Sequence, residues 1–248
     1  MYNINRIKPS IPDDDLPFKN KILPKPPFRF IIVAPSGKGK TNFLISLIID
    51  RRFYKMYFQD RVFIFSKSIL ADRIFTALPK DILRKSYSHF SIEVLNDLFE
   101  KQKIEIDENG KTSKNTMLIV LDDFISDIVN RGAPTLLEEI YMRGRHYNIS
   151  IIITSQMYML IPKAIRFNST SLILFEQDNV EELTNIYKEN GSFLSKKEFI
   201  GRLFKRVWTK PYQFLFIDKG KPFDERYRIN FNDGFLVNEA DANHYFKN

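Results

Sequence analysis

Residues 28–50 read FRFIIVAPSGKGKTNFLISLIID, and this stretch decides the fold. A strand-length apolar run at 28–33 is followed by a small and polar loop and then by a helical apolar run at 40–49. A simple turn needs one glycine or proline, whereas this interruption ends in a lysine and a threonine. The order of strand, glycine-containing loop and helix predicts a phosphate-binding loop at the carboxyl end of a strand.

The predicted loop has the groups that hold a polyphosphate. Gly37 and Gly39 allow the backbone to turn its N–H groups toward a phosphate. Lys40 supplies a positive charge for the terminal phosphates, and Thr41 supplies a hydroxyl for Mg²⁺. Ala34 replaces the first glycine of the usual pattern, which is acceptable if its φ stays negative. The predicted nucleotide-binding residues are Ala34, Pro35, Ser36, Gly37, Lys38, Gly39, Lys40, Thr41 and Asn42.

Composition limits the classes of protein to consider. A chain of 248 residues with 44% hydrophobic residues suits one α/β domain. The absence of cysteine excludes disulfides and thiolate metal sites. A net charge of +8 favours a polyanionic partner without proving one. Because no apolar run approaches the roughly 20 residues that span a bilayer and no signal peptide is apparent, we expect a soluble, intracellular protein without a membrane span.

Beyond the loop, apolar runs of strand length alternate with helical patterns. Helix periodicity is found at 91–103 and 135–142, and 106–115 is predicted to be a polar loop. Continuous apolar runs are typical of a parallel sheet that is covered on both faces. The predicted fold is α/β, a three-layer P-loop NTPase with a mostly parallel central sheet and helices on both faces. The predicted strands are 28–33, 61–65, 116–121, 150–154 and 171–175, with an edge strand at 213–217.

The chain ends differ in composition from its middle. Residues 1–27 contain six of the twelve prolines and are predicted to form an extended N-terminal arm. The ATPase domain is then predicted to occupy 28–248, with a basic C-terminal part from about 190 to 248.

A second motif, TMLIVLDD at 116–123, ends an apolar strand in two carboxylates. A parallel strand that ends in aspartate brings its carboxylate beside the metal of the phosphate-binding loop. Asp122 is predicted to hold Mg²⁺ through water, and Asp123 to orient the attacking water. Two adjacent carboxylates are difficult to explain by packing alone. The alternative for Asp123 is a helix N-cap, which does not exclude catalysis.

Gln156 follows the apolar strand at 149–153. In P-loop ATPases of the ASCE type, an extra strand lies between the loop strand and the acidic strand, and a polar residue at its end reaches the γ-phosphate. An amide there can donate to the phosphate and accept from the lytic water. The alternative is a solvated loop glutamine.

Arg143 and Arg145 lie between a predicted helix and that strand. They are expected at the rim of the domain, where an arginine could reach the γ-phosphate of a neighbouring subunit. The equally weighted alternative is a basic residue that complements the dipole at a helix C-terminus.

Together, VAPSGKGKT, LIVLDDF and GRHYNISIIITSQ resemble the viral genome-packaging ATPases of the FtsK–HerA superfamily. The resemblance covers roughly 28–175 and is to the poxvirus-like branch of large DNA viruses, virophages and polinton-like elements. It implies an ATP- and Mg²⁺-dependent motor that drives double-stranded DNA into a preformed capsid. It also implies a homo-oligomeric ring, a capsid portal or vertex partner, and a location in the host cytoplasm or viral factory, transiently at the capsid vertex. The spacing to Gln156 favours Arg145 over Arg143 as the finger. Asp123 departs from the glutamate of many relatives.

The basic segment 196–210 is a candidate DNA-binding region. Its charges could contact phosphates without reading sequence, as a translocating motor needs. The favoured alternative is an amphipathic helix with a solvated charged face. Its basic residues are Lys196, Lys197, Arg202, Lys205, Arg206 and Lys210, interleaved with Phe199, Phe204 and Trp208.

Two other functions stay open. The chain could be a P-loop switch or assembly factor that binds nucleotide without moving DNA, or a small-molecule kinase. The lack of an Asn-Lys-x-Asp motif argues against a GTPase.

Overall fold

The computed structural model describes residues 22–130, 134–231 and 233–234. Most of the predicted N-terminal arm, up to residue 21, and the end of the basic C-terminal part, from residue 235, lie outside these ranges. Of the residues before 28, Leu23 is buried in the core, and the carbonyl of Pro24 accepts a 2.9 Å hydrogen bond from the Tyr54 hydroxyl. The division into an arm and an ATPase domain stays a prediction.

The described residues form a nine-stranded mixed sheet with the order β3-β2-β4-β5-β1-β6-β7-β8-β9. Strands β1 to β6 are parallel, and β7, β8 and β9 pair antiparallel at one side. The strands are β1 (Arg29–Val33), β2 (Val62–Ser66), β3 (Ser86–Tyr87), β4 (Met117–Asp122), β5 (Ile149–Ser155), β6 (Ser171–Phe175), β7 (Phe214–Asp218), β8 (Tyr227–Ile229) and β9 (Asp233–Gly234).

Helices connect the strands and cover the sheet, with several short 3-10 turns between them. The helix after the glycine-containing loop has the predicted bounds, and the helix predicted at 135–142 is confirmed. The helices are α1 (Lys40–Ile49), α2 (Lys55–Phe58), α3 (Lys80–Leu83), α4 (Ile92–Asn109), α5 (Ile125–Asn130), α6 (Pro134–Arg143), α7 (Lys163–Asn168), α8 (Val180–Asn190) and α9 (Lys196–Arg202).

The two faces of the sheet are buried in separate apolar clusters. Alternate side chains of a strand point to opposite faces, so in β1 Phe30 and Ile32 join one cluster and Ile31 and Val33 join the other. The first cluster includes buried residues of α1, α2 and α3, and the second includes those of α4, α5, α6, α8 and α9. This arrangement confirms the predicted three-layer α/β fold.

Two sequence predictions were wrong. The polar loop at 106–115 begins later than predicted, because α4 continues to Asn109. Ile106 extends the apolar stripe of that helix by one turn, and Gly110 then ends it with a φ of 69°. The strand predicted at 213–217 is not an edge strand, since β7 lies between β6 and β8 and is buried along its length.

The position of β5 in the sheet determines which strand ends lie next to the glycine-containing loop. It lies between β1 and β4, as in the ASCE type. Its register pairs Ser155 with Val33 on one side and Thr154 with Asp122 on the other. The carboxyl ends of β1, β4 and β5 therefore meet at one edge.

Candidate nucleotide-binding and catalytic site

The glycine-containing loop connects β1 to α1 at this edge. Gly37 and Gly39 have φ values of 78° and 87°, which glycine adopts at low cost. Ala34 is fully buried, and its N–H donates a 3.0 Å hydrogen bond to the Ser155 carbonyl. Its φ is negative, which confirms the condition for an alanine at the first glycine position. The loop therefore has the strand–loop–helix geometry that binds phosphate at a helix N-terminus.

Lys40 and Asp123 form an ion pair at the base of the loop. Lys40 is 8% exposed, and its ammonium group contacts the Asp123 Oδ2 atom. Asp123 follows β4 with a φ of 57°, which is uncommon for a residue other than glycine. Its N–H is held by a 3.1 Å hydrogen bond to the Thr154 hydroxyl oxygen. The predicted phosphate-binding lysine and the predicted water-orienting carboxylate are thus in direct contact.

Asp122 is buried at the end of β4 and accepts two hydrogen bonds from neighbouring strands. The Ser66 hydroxyl donates to Oδ2 at 2.7 Å, and the Thr154 hydroxyl donates to Oδ1 at 2.6 Å. These bonds offset the cost of removing the carboxylate from water. Ser66 and Thr154 were missed from the sequence, although each is a polar residue at or next to the end of an apolar strand.

Gln156 follows β5 and is exposed at the same edge. Its Nε2 atom lies 3.5 Å from Asp123 Oδ2, so the predicted sensor joins Lys40 and Asp123 in one cluster. The chain after it is anchored by the Tyr158 N–H, which donates a 2.7 Å hydrogen bond to Glu182.

A cleft of about 950 Å³ lies over the loop and reaches these groups. Lys38 of the loop is not among the residues that line this cleft. It forms a 2.6 Å ion pair with Glu176, and this hydrogen bond raises the pKa of Lys38. Seven further residues that sequence reasoning did not assign also line the cleft: Phe43, Ser46, Ser68, Asp72, Ile74, Phe175 and Tyr212.

The residues of the cleft suit a metal that also binds phosphate. Within the ranges that the structure describes, no group of three or more His, Cys, Asp or Glu residues could hold a metal ion alone. Mg²⁺ commonly takes one or two protein oxygens together with waters and substrate phosphates. The Thr41 hydroxyl lines the cleft, and the Asp122 carboxylate ends β4 at the same edge. Both are oxygen donors of the kind that Mg²⁺ takes.

Arg143 and Arg145 lie at the opposite edge of the sheet. Both precede β5, whose seven residues separate them from the loop by about 20 Å. Arg143 forms a 2.7 Å ion pair with Glu139, and Arg145 is exposed near Arg29. Neither residue can reach Lys40 of its own chain, as expected for residues at the rim. A sharp turn immediately before β5 is made by Asn148, which has a φ of 58°.

The basic segment 196–210 is not one continuous helix. Helix α9 ends at Arg202, and a π-helical turn, Leu203–Val207, follows. Phe199 and Trp208 are buried in the core, which leaves Phe204 as the exposed ring of the segment. The exposed basic side chains are Lys196, Lys197, Lys205, Arg206 and Lys210.

The family follows from comparison with known proteins. The family model described as Poxvirus A32 protein matches residues 15–231. The chain belongs to the Poxvirus A32 protein family. The chain is 33% identical over 162 residues to the vaccinia virus protein named DNA packaging protein OPG160. The aligned residues make up 64% of this chain and 56% of the relative. The chain is 22% identical over 196 residues to the uncharacterized protein 015R of Frog virus 3, covering 79% of this chain and 58% of that protein. This A32 chain therefore spans little more than half the length of these relatives.

Solved structures share the fold of this A32 protein. The genome packaging NTPase B204 from Sulfolobus turreted icosahedral virus 2, in complex with ATP-γS, matches with a TM-score of 0.58 and 15% identity over 83% of this chain and 97% of that chain. EssC from Geobacillus thermodenitrificans matches with a TM-score of 0.53 and 17% identity over 86% of this chain and 40% of that chain. The chain thus shares its fold with a viral genome packaging NTPase and with ATPase domains of EssC. In the part of the A32 chain that the structure describes, every helix is too short or too polar to cross a membrane.

Proposed function

We propose that the chain is a Mg²⁺-dependent ATPase that moves double-stranded viral DNA into a preformed capsid. The observation that carries this proposal is the meeting of Lys40, Asp123 and Gln156 in one cleft over the glycine-containing loop. A loop that only bound a phosphate for structural reasons would not need an acidic residue and an amide at the ends of two adjacent strands. The family and the name of the vaccinia relative favour DNA packaging as the use of the hydrolysis.

The residues of the cleft divide the work of hydrolysis. The N–H groups of the loop and the ammonium group of Lys40 bind the phosphates of ATP. Asp123 orients the attacking water and accepts its proton, and Gln156 contacts both that water and the γ-phosphate. Mg²⁺ held by Thr41 and Asp122 would neutralise charge on the phosphates.

Lys40 can pair either with Asp123 or with the phosphates of ATP, and this exchange connects ATP binding to hydrolysis. While Lys40 is paired with Asp123, its ammonium group contacts the Asp123 Oδ2 atom in the place that a water would take. Bound phosphate competes for the same ammonium group. ATP binding thereby releases Asp123 to act on water.

The proposed motor is a homo-oligomeric ring. Arg145 lies about 20 Å from the loop of its own chain, as estimated from the length of β5, so the phosphates that it could reach are those bound by another molecule. In a ring it would stabilise the transition state in the neighbouring subunit, with Arg143 as the second candidate.

The exposed lysines and Arg206 of segment 196–210 are the proposed contacts to the DNA backbone. The proposed locations are the cytoplasm or viral factory and the capsid vertex, where a portal or vertex protein would be the partner.

The rate of ATP hydrolysis with and without long duplex DNA tests the proposal. A motor should hydrolyse ATP several times faster with DNA, and Lys40→Ala should abolish both rates. Tight nucleotide binding with little turnover and no response to DNA would instead indicate a switch or assembly factor. Transfer of the phosphoryl group to a small acceptor would indicate a kinase.

A further inference from the structure

Tyr212 is an exposed aromatic residue in an unusual backbone conformation at the nucleotide cleft. Its φ is 65°, and 68% of it is exposed. A left-handed conformation of a bulky residue costs free energy and persists where the surrounding structure fixes it. One residue, Gln213, separates Tyr212 from the start of β7, and Tyr212 lines the cleft together with Gly39.

The loop that presents Tyr212 is held by the side chain of Gln213. Its Oε1 atom accepts hydrogen bonds from the Lys210 N–H at 2.8 Å and from the Thr209 hydroxyl at 2.9 Å. Pro211 further restricts the backbone immediately before Tyr212. The loop therefore holds the tyrosine in place before any ligand arrives.

The ring of Tyr212 lies across Gly39. A Cβ atom added to Gly39 would come within 2.7 Å of Tyr212 Cδ1 and 3.3 Å of Cε1. This close approach is a second reason, besides its φ of 87°, for a glycine at position 39. The ring thus stands directly beside the residue that immediately precedes α1.

The order of the strands separates the catalytic groups from this ring. Asp123 and Gln156 follow β4 and β5, which lie on one side of β1, whereas Phe175 ends β6 on the other side. Tyr212 precedes β7, the next strand beyond β6. A triphosphate whose terminal phosphate reaches Asp123 and Gln156 therefore extends its nucleoside toward Tyr212.

From this geometry we infer that Tyr212 binds the base of the nucleotide by stacking, with Phe175 lining the cleft beside it. The inference rests on the proposed nucleotide-binding function and adds the base subsite to it. An aromatic ring stacks on the face of any base, and the large face of a purine gains most. The subsite is therefore expected to take purine nucleoside triphosphates.

Binding of ATP and of inorganic tripolyphosphate to the full chain tests the inference. Tyr212→Asn removes the ring and keeps a residue that tolerates positive φ, and Tyr212→Phe keeps the ring. We expect Tyr212→Asn to lower the affinity for ATP about tenfold and to leave the affinity for tripolyphosphate unchanged. Tyr212→Phe should bind both ligands like the wild-type chain.

Two results would overturn the inference. One is unchanged ATP affinity in Tyr212→Asn, which would place the base elsewhere, for example beside Ile74. The other is an equal loss of affinity for ATP and tripolyphosphate, which would show that Tyr212 supports the phosphate loop. Failure of the proposed function looks different. A wild-type chain that binds neither ligand would have no nucleotide site, and a wild-type chain that binds ATP without DNA-stimulated hydrolysis would not be a motor, whatever the result for Tyr212→Asn.

Discussion

The ammonium group of Lys40 and the carboxylate of Asp123 form an ion pair between the start of α1 and the end of β4. The two residues have opposite tasks, since one binds phosphate and the other acts on water. Their contact means that the phosphate of ATP and Asp123 compete for one cation. This competition distinguishes the effects expected from replacing each carboxylate of the pair at 122 and 123.

Asp123→Asn should retain ATP binding and lose hydrolysis. The neutral amide no longer competes for Lys40, so the affinity for ATP should equal or exceed that of the wild-type chain. Turnover should fall about 10²- to 10⁴-fold, the usual contribution of a positioned general base. Equilibrium binding and single-turnover hydrolysis, measured separately, check this. A loss of ATP affinity would mean that Asp123 belongs to the binding machinery.

Asp122→Asn should instead weaken the binding of Mg²⁺–ATP. The carboxylate provides the charge that an outer-shell metal partner needs, and loss of such a partner lowers metal affinity about 10- to 100-fold. The Ser66 and Thr154 hydroxyls can rotate to accept from the amide, so the fold should persist. Titration of Mg²⁺ at fixed ATP measures the effect. Equal affinities for Mg²⁺ in Asp122→Asn and Asp123→Asn would refute the division of roles.

Thr154→Val should reduce both stability and turnover. The buried Thr154 hydroxyl donates to Asp122 and accepts the N–H of Asp123, so a methyl group in its place leaves both groups without this partner. Loss of these bonds should lower the free energy of unfolding by about 1–3 kcal/mol. Thr154→Ser is the matched control, because it keeps the hydroxyl. Chemical denaturation and ATP turnover are the measurements, and identical behaviour of the two variants would rule out this role.

Mixing Arg145→Ala subunits with Lys40→Ala subunits should restore ATP turnover that neither variant has alone. An Arg145→Ala subunit has a complete loop but offers no arginine to its neighbour, whereas Lys40→Ala has the arginine and no working loop. Arginine fingers contribute about 10³–10⁵ in rate, so each variant alone should be nearly inactive. Mixing them at concentrations that support oligomers should restore turnover at some junctions. Arg143→Ala, which loses an exposed ion pair with Glu139, is the matched control.

The result would be different if Arg145 only stabilised a helix C-terminus. Mixing would then restore no turnover, and Arg145→Ala alone would hydrolyse ATP normally but melt at a lower temperature. A charge near a helix C-terminus contributes about 0.3–1 kcal/mol to stability. Inactivity of Arg143→Ala alone, with turnover restored when it is mixed with Lys40→Ala, would make Arg143 the finger.

Much of the cleft could be predicted from sequence because parallel strands bring their carboxyl ends to one edge. Lys40, Asp122 and Gln156 each follow or end an apolar strand, so their meeting required only the strand order of the P-loop fold. Arg145 precedes a strand, and its position at the opposite edge follows from the same rule.

Other features depend on contacts between distant segments and could not be predicted. Strand β7 lies inside the sheet only because the short β8, Tyr227–Ile229, pairs with it, and three residues give no periodicity. Tyr212 belongs to a short loop with no motif, and its position against Gly39 results from the pairing of β7 with β6. The continuation of α4 to Asn109 depends on the burial of one apolar residue, Ile106, in an otherwise polar stretch.

The displacement of a third strand from a linear duplex tests the central claim most directly, since it measures movement along DNA. An oligonucleotide bound as a triplex at one end of a long duplex is released when a motor reaches it. The wild-type chain should release it with ATP and Mg²⁺, but not with a non-hydrolysable ATP analogue, and Lys40→Ala should not release it at all. Hydrolysis of ATP without release of the third strand, at protein concentrations that saturate the DNA, would contradict the assignment of this chain as a DNA-translocating ATPase.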